Sequence, residues 1–143
     1  MYKVLWLLKR KPGISLSQFR DHYENSHAIL GQRYLGHLLV EYKRNYKVEV
    51  WGGGVPTEPG EPSFGPREWE YDCVTEWVMP DEEAFNEIMR IFADPVIGKF
   101  FHDDEENFLD RGSVVLIKCD GRDTGTGDGA ATLKLRRETG GVA

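Results

Sequence analysis

The chain reads as an α+β protein of ferredoxin-like order, βαββαβ: one antiparallel sheet with its helices on one face. Three features carry that reading. Runs near each end, YKVLWLLKR and SVVLIKC, are apolar on both alternating sets of positions. Two central runs alternate with a period of two residues. Between the strands lie two stretches with helix-start signals and apolar residues at helical spacing.

The first strand places Tyr2, Val4, Trp6 and Leu8 on one face and Leu5 and Leu7 on the other, so both faces call for cover. Pro12 and Gly13 end it in a turn. Ser15 and Gln18 have the spacing of a capping box, which starts a helix near Leu16 that is expected to run to about Leu30. The run LLVEYKRNYKVEVWG follows as a strand, with Tyr42, Arg44, Tyr46, Val48 and Val50 on one face. Residues 52–66, GGGVPTEPGEPSFGP, are too rich in Gly and Pro to pair well and read as a long connection. REWEYDCVTEWVM forms the third strand, with Tyr71, Cys73, Thr75, Trp77 and Met79 on one side. Pro80 and a cluster of acids then open a second helix, whose buried stripe is Phe85, Ile88, Met89 and Phe92. VIGKFF and DDEENFL read as short helical turns, and residues 113–119 close the sheet. The domain is thus residues 1–120; residues 121–143 form a Gly-rich tail with too little apolar content to fold alone. A sheet that is apolar on its uncovered face suits a second copy packed against it, so a homodimer is expected.

With 143 residues, 40% of them hydrophobic, the chain has the material for one core. A net charge of −6 and the lack of a basic stripe argue against nucleic acid or an anionic membrane as partner. Met1 leads straight into a strand-like run too short for a signal or a membrane span, so a cytoplasmic protein is expected. Cys73 and Cys119 read as buried thiols rather than a disulfide. His22, His27, His37 and His102 lack metal-ligand spacing with cysteine or carboxylate, and no metal is expected. WGGGVP lacks the Lys-Ser/Thr of a phosphate loop, and no Gly-x-Ser-x-Gly elbow is present.

The chemistry-bearing residues concentrate on the first helix and second strand. At 100° per residue, Leu16, Phe19, Tyr23, His27 and Leu30 share one stripe, with Ser26 at its border and His22 to one side. His27 thus points toward the sheet. It is either a satisfied core histidine or helix C-terminal cation, or an acid–base group. Arg44, on the face of Tyr42 and Tyr46, needs an anion. A salt bridge to Asp72 or Glu76 would supply one, and so would the carboxylate or enolate of a ligand. Tyr23, Tyr42 and Tyr46 are either core aromatics or hydrogen-bond donors to such a ligand, with Trp6 and Trp77 as flat walls and His22 beside them. Asp72 and Glu76 read as structural ion-pair partners.

The runs LLKRKPGISLSQFRDHYENSHAILG, YKRNYK, YDCVTEWVMPDEEAF, ADP and DDEENFLDRGSVVLIK resemble the EthD-domain family over nearly all of residues 1–120. The most specific elements are the Phe-x-x-x-Tyr-x-x-x-His helix and the late Asp-Glu-x-x-Phe-Leu-Asp. Ile29 stands where the family often has proline, and the Gly/Pro insertion departs from shorter bacterial members. The resemblance implies a dimeric α/β barrel of ferredoxin-like halves. HYENSHA and YKRNY look closest to members that tailor aromatic polyketides, which implies a cofactor-free lyase, a decarboxylase or dehydratase, with an aromatic polyketide as substrate. On that reading His27 is the general acid/base, Arg44 holds the carboxylate or enolate, and Tyr23 is a catalytic donor. Tyr46, Tyr42, Trp6, Trp77 and His22 bind the substrate. The alternatives on the same scaffold are a cofactor-independent monooxygenase, a haem-associated redox protein with His27 as axial ligand, or a non-catalytic dimer that binds a phenolic ligand.

Overall fold

The computed structural model describes residues 1–54, 58–60 and 63–127. Its main sheet has four strands, β1 (Tyr2–Leu8), β2 (Glu41–Tyr46), β5 (Cys73–Met79) and β6 (Val115–Cys119), in the order β2-β5-β1-β6. All neighbours are antiparallel. β1 and β2 therefore run the same way with β5 inserted between them, which is the split βαβ arrangement the element order predicts.

The long connection departs from expectation at both ends. Trp51–Gly52 (β3) pairs antiparallel with Gly65–Pro66 (β4), so the Gly/Pro-rich run closes on itself as a small ribbon. Gly53, at φ +101°, takes the left-handed backbone that this closure requires. β2 consequently stops at Tyr46 instead of running on through Val50. Of the tail, residues 121–127 carry no regular structure and 128–143 lie outside the described residues.

The first helical stretch also differs from expectation. α1 (Leu16–His22) starts at the Ser15 cap, where Ser15 Oγ accepts from Gln18 N at 3.1 Å and the Gln18 side chain accepts from Ser15 N at 2.8 Å. A π-helical turn, Tyr23–His27, follows without a break, and α2 (Ala28–Leu35) carries the chain past the expected end at Leu30. His27 is therefore in mid-helix, not a C-terminal cation. In the second helical region α3 (Glu82–Ala93) is capped by Asp81. The two expected short turns fuse into one helix, α4 (Ile97–Glu105), because Asp94 Oδ1 accepts from Val96 N and Ile97 N, both at 2.9 Å.

The helices cover the face of the sheet that carries Val4, Leu8, Cys73, Thr75, Trp77 and Met79. The core divides into two apolar clusters. One joins Val4, Trp77 and Met79 to Leu35, Phe85, Ile88 and Phe101, and the other joins Leu8 and Cys73 to Phe19, Tyr23, Ala28 and Phe108. Trp6 and Tyr42 pack against both and mark the seam between them. The opposite face carries Leu5, Leu7, Val74, Val115 and Ile117 in register, with Val115 37% and Ile117 40% exposed in the single chain. Both cysteines are free thiols, Cys73 buried and Cys119 partly exposed. Among the described residues no helix is long and apolar enough to cross a membrane.

The α3–α4 junction is close-packed at Gly98, where a Cβ would lie 2.2 Å from the Phe92 carbonyl oxygen. Gly98→Ala is expected to lower stability by about 1–3 kcal/mol in urea unfolding, because neither backbone can give way. Gly112→Ala, whose Cβ would meet only the Asp110 carboxylate at 3.9 Å, is the control and should be near neutral.

Candidate active site

The π-helical turn decides which side chains of the first helix face inward. The buried positions run Phe19, Tyr23, Ala28, Gly31 and Leu35, and the step of five from Tyr23 to Ala28 is the extra residue of the wide turn. Ala28 N donates to Tyr23 O across it. A regular helix would place Leu30 on the buried stripe; here Leu30 is only partly buried. Wide turns of this kind recur at functional sites because they redirect side chains without ending the helix. Ser26 and His27 both leave this turn toward α4.

Their common partner is Asp104. His27 Nδ1 lies 2.8 Å from Asp104 Oδ2, Ser26 Oγ donates to Oδ1 at 2.5 Å, and His22 Nε2 lies 3.1 Å from the same Oδ1. Burial pushes the Asp104 carboxyl up, but the hydrogen bonds from His27 and Ser26 outweigh it and hold the group below the ordinary Asp range. A carboxylate at Nδ1 fixes the proton there, so Nε2 is the nitrogen left to act as acceptor. Among the described residues Nε2 of His27 has no hydrogen-bond partner. Phe108, fully buried, supports both imidazoles: its ring centroid is 5.0 Å from that of His27 and 4.9 Å from that of His22.

A second polar group is a chain of hydroxyls across the helix–sheet interface. Tyr42 O–H donates to the Tyr23 oxygen at 3.1 Å, and the Tyr23 hydroxyl is 2.8 Å from Thr75 Oγ1. Burial raises the Tyr23 phenol well above its usual pKa and pushes Tyr42 up to about 12, so both stay protonated donors at neutral pH. Gly31 makes room for this chain, since a Cβ there would come within 2.9 Å of Tyr42 Cε2.

Arg44 turns to Glu24. Its Nε and Nη2 donate to the two oxygens of Glu24 at 2.6 and 3.1 Å, and the Tyr46 hydroxyl donates to Glu24 as well. The predicted partners Asp72 and Glu76 are not the ones used. Asp72 is buried just ahead of β5, where it accepts from Arg10 N at 2.8 Å and pairs with Lys47 at 3.4 Å. Glu76 lies on the open face beside Leu5 and Lys43. The Arg44 guanidinium lies 4.8 Å from the Tyr42 ring centroid, behind the phenols.

At the seam of the two clusters lies a pocket of about 250 Å³. Trp6, Trp77, Phe92, Leu8, Leu109 and Val114 make its apolar walls, and Tyr23, Tyr42, Thr75, His27, Glu105 and Arg111 supply its polar groups. Five of the sequence candidates thus converge: His27, Tyr23, Tyr42, Trp6 and Trp77. Arg44, Tyr46 and His22 are not among the lining residues; the first two form the Glu24 cluster and the third supports Asp104. The sequence reading missed Asp104, Thr75, Glu105 and Arg111. Asp104 and Glu105 open the Asp-Glu-x-x-Phe-Leu-Asp run, which marks a family pattern but does not reveal which histidine the carboxylate meets.

A family model described as the EthD domain matches residues 11–112. The chain belongs to the EthD family. That range contains His27, Asp104, the phenol pair and Arg111. Solved structures agree on the fold. An EthD-family protein of Bacillus halodurans is 22% identical, with a TM-score of 0.54 over 85% of this chain and 100% of its own. An Arabidopsis thaliana protein is 17% identical, with a TM-score of 0.54 over 88% of this chain and 100% of its own. A protein of Agrobacterium tumefaciens is 15% identical, with a TM-score of 0.52 over 87% of this chain and 97% of its own. No curated protein matches the chain. In this EthD chain the late acidic run has a physical role: it brings Asp104 to His27 and Phe108 beneath the ring.

Because the folded pKa of Asp104 lies below its unfolded value, its network adds stability above the unfolded value and loses it as pH falls through the folded one. Urea unfolding near neutrality and near roughly pH 3 should therefore show a smaller pH effect for Asp104→Asn than for the parent chain. Gly31→Ala is expected to push Tyr42 outward and lessen the burial that raises its phenol. In an ultraviolet phenolate titration the late-titrating phenol near pH 12 should then move toward the ordinary tyrosine range.

Proposed function

We propose that this EthD protein is a cofactor-free lyase that removes carbon dioxide or water from an aromatic polyketide intermediate. One observation supports the reading above the others: His27, oriented by Asp104 at 2.8 Å, sits on the wall of an aromatic pocket beside two buried phenols. Trp6 and Trp77 offer flat faces to a planar ring system, their centroids 5.2 Å apart in an edge-on pair. Their indole N–H groups are buried without an acceptor among the described residues.

The chemistry follows from these groups. In a decarboxylation the bond from the ring-side carbon to the carboxylate breaks and carbon dioxide leaves. The electron pair moves into the adjacent carbonyl, and the enolate oxygen so formed accepts a hydrogen bond from the Tyr42–Tyr23–Thr75 chain. Imidazolium His27 then gives its Nε2 proton to the carbon, and Asp104 stabilises the charged ring beforehand. In a dehydration neutral His27 takes an acidic α-proton at Nε2 and returns it to the departing hydroxyl. Arg44 has no direct part in either course, since its guanidinium is engaged by Glu24.

The same reading includes a homodimer. A sheet face bearing Leu5, Leu7, Val74, Val115 and Ile117 is apolar surface of the kind that a second sheet covers.

With an aromatic β-keto acid as substrate, His27→Ala should lower kcat by about 10²–10⁴-fold. Asp104→Asn should lower it less and move the pH profile, because the ring loses its fixed proton and its counter-charge. Carbon dioxide release that persists unchanged in His27→Ala would remove the imidazole from the mechanism. Sedimentation of the parent chain should give a dimer, and Ile117→Glu a monomer; a monomeric parent would end the sheet-to-sheet pairing.

A further inference from the structure

We infer that Arg111 recognises a carboxylate, so that the ligand of this pocket is an aromatic acid held with its acid group toward the α4–β6 turn. The inference rests on the proposed role of the pocket and goes beyond it by naming the group that selects the substrate. Arg111 is the one lysine or arginine on the pocket wall among the described residues. Its guanidinium is positioned before any ligand arrives. Nε donates to Glu105 Oε2 at 3.0 Å and Nη1 lies 3.5 Å from Glu106, while Nη2 has no partner among the described residues. The side chain is 41% exposed, so it stands where the pocket meets solvent.

The backbone beneath it is fixed on both sides. Leu109 bridges Arg10, Asp110 N donates to Lys9 O at 2.9 Å, and Lys11 N donates to Phe108 O at 2.8 Å. Ser113 Oγ donates to Asp110 O at 2.9 Å and tightens the turn that presents Arg111. The pocket therefore has two unlike polar ends. The phenols and Thr75 offer neutral hydroxyls, whereas Arg111 offers the N–H donors of Nη2, a charged partner for a carboxylate oxygen. Between them the walls are aromatic. A flat acid with a phenolic or carbonyl oxygen at its far side satisfies both ends at once; a neutral β-hydroxy ketone satisfies only one.

Calorimetry with a hydroxynaphthoic acid and its primary amide, equal in shape but differing in charge, tests the inference. The parent chain should bind the acid about tenfold more tightly, the worth of one charged hydrogen bond. Arg111→Gln should bring the acid down to the affinity of the amide and leave the amide unchanged. Glu105→Gln, which removes the competing carboxylate, should tighten the acid alone. Equal affinities in the parent, or an Arg111→Gln variant that weakens both probes alike, would overturn the inference, the second outcome marking Arg111 as structural. Binding of the amide without the acid would sink the role of Arg111 and leave the aromatic pocket standing. Binding of neither probe would sink both.

Discussion

Asp104 is the tie on which the rest of this molecule depends. It stands near the end of α4, and the three groups it accepts from, on His22, Ser26 and His27, all belong to the first helix. Remove the carboxylate and two imidazoles and a hydroxyl lose their common acceptor in a largely buried place, which costs more than the hydrogen bonds themselves contribute. The same contact fixes the helix spacing, sets the tautomer of His27 and seats Phe108 under both rings. Structural cohesion and chemical competence are therefore not separable at this position.

The pocket exists because the core is split. A single continuous cluster would fill the space between helices and sheet with packed side chains. Here Trp6 and Tyr42 stand at the boundary of two clusters, too rigid and too wide to interdigitate fully, and they leave a flat-walled gap. The polar groups of the gap are supplied in pairs from different elements: phenols from the first helix and β2, a hydroxyl from β5, the imidazole with its carboxylate across to α4. Each is held by a partner of its own, so the site needs little rearrangement to hold a planar ligand.

Alternation and capping chemistry made much of the fold legible in the sequence. The period of two on β2 and β5, the Ser15–Gln18 box and the apolar runs of β1 and β6 all report local physics, and each appears in the structure. What stayed hidden is non-local. Nothing in the sequence tells Glu24 from the other acids as the partner of Arg44, or Asp104 from its neighbours Asp103 and Glu105. Those pairings depend on how α4 lies against the first helix, which no single-segment pattern contains. The apolar stripe put His27 toward the sheet at a helix end, whereas it stands in mid-helix and turns to Asp104 of α4, because a wide turn leaves no mark in apolar spacing until the buried set beyond it is known. The ribbon that closes residues 51–66 was hidden for a similar reason: glycine and proline report what a backbone permits, not what it pairs with.

The wide turn has a consequence for how this scaffold tolerates change in length. It sets the phase between the half of the helix that bears Phe19 and Tyr23 and the half that bears Gly31 and Leu35. It absorbs one extra residue: excising one between positions 23 and 27 would put Tyr23 and Ala28 four apart, the ordinary α-helical step along one face, so both halves would keep their phase. Tyr23, Gly31 and Leu35 would keep their seats, and the loss would fall on Ser26 and His27, which the wide turn aims at Asp104. A lineage could thus shorten this helix by one residue without rebuilding the core on either side, at the expense of the imidazole's aim.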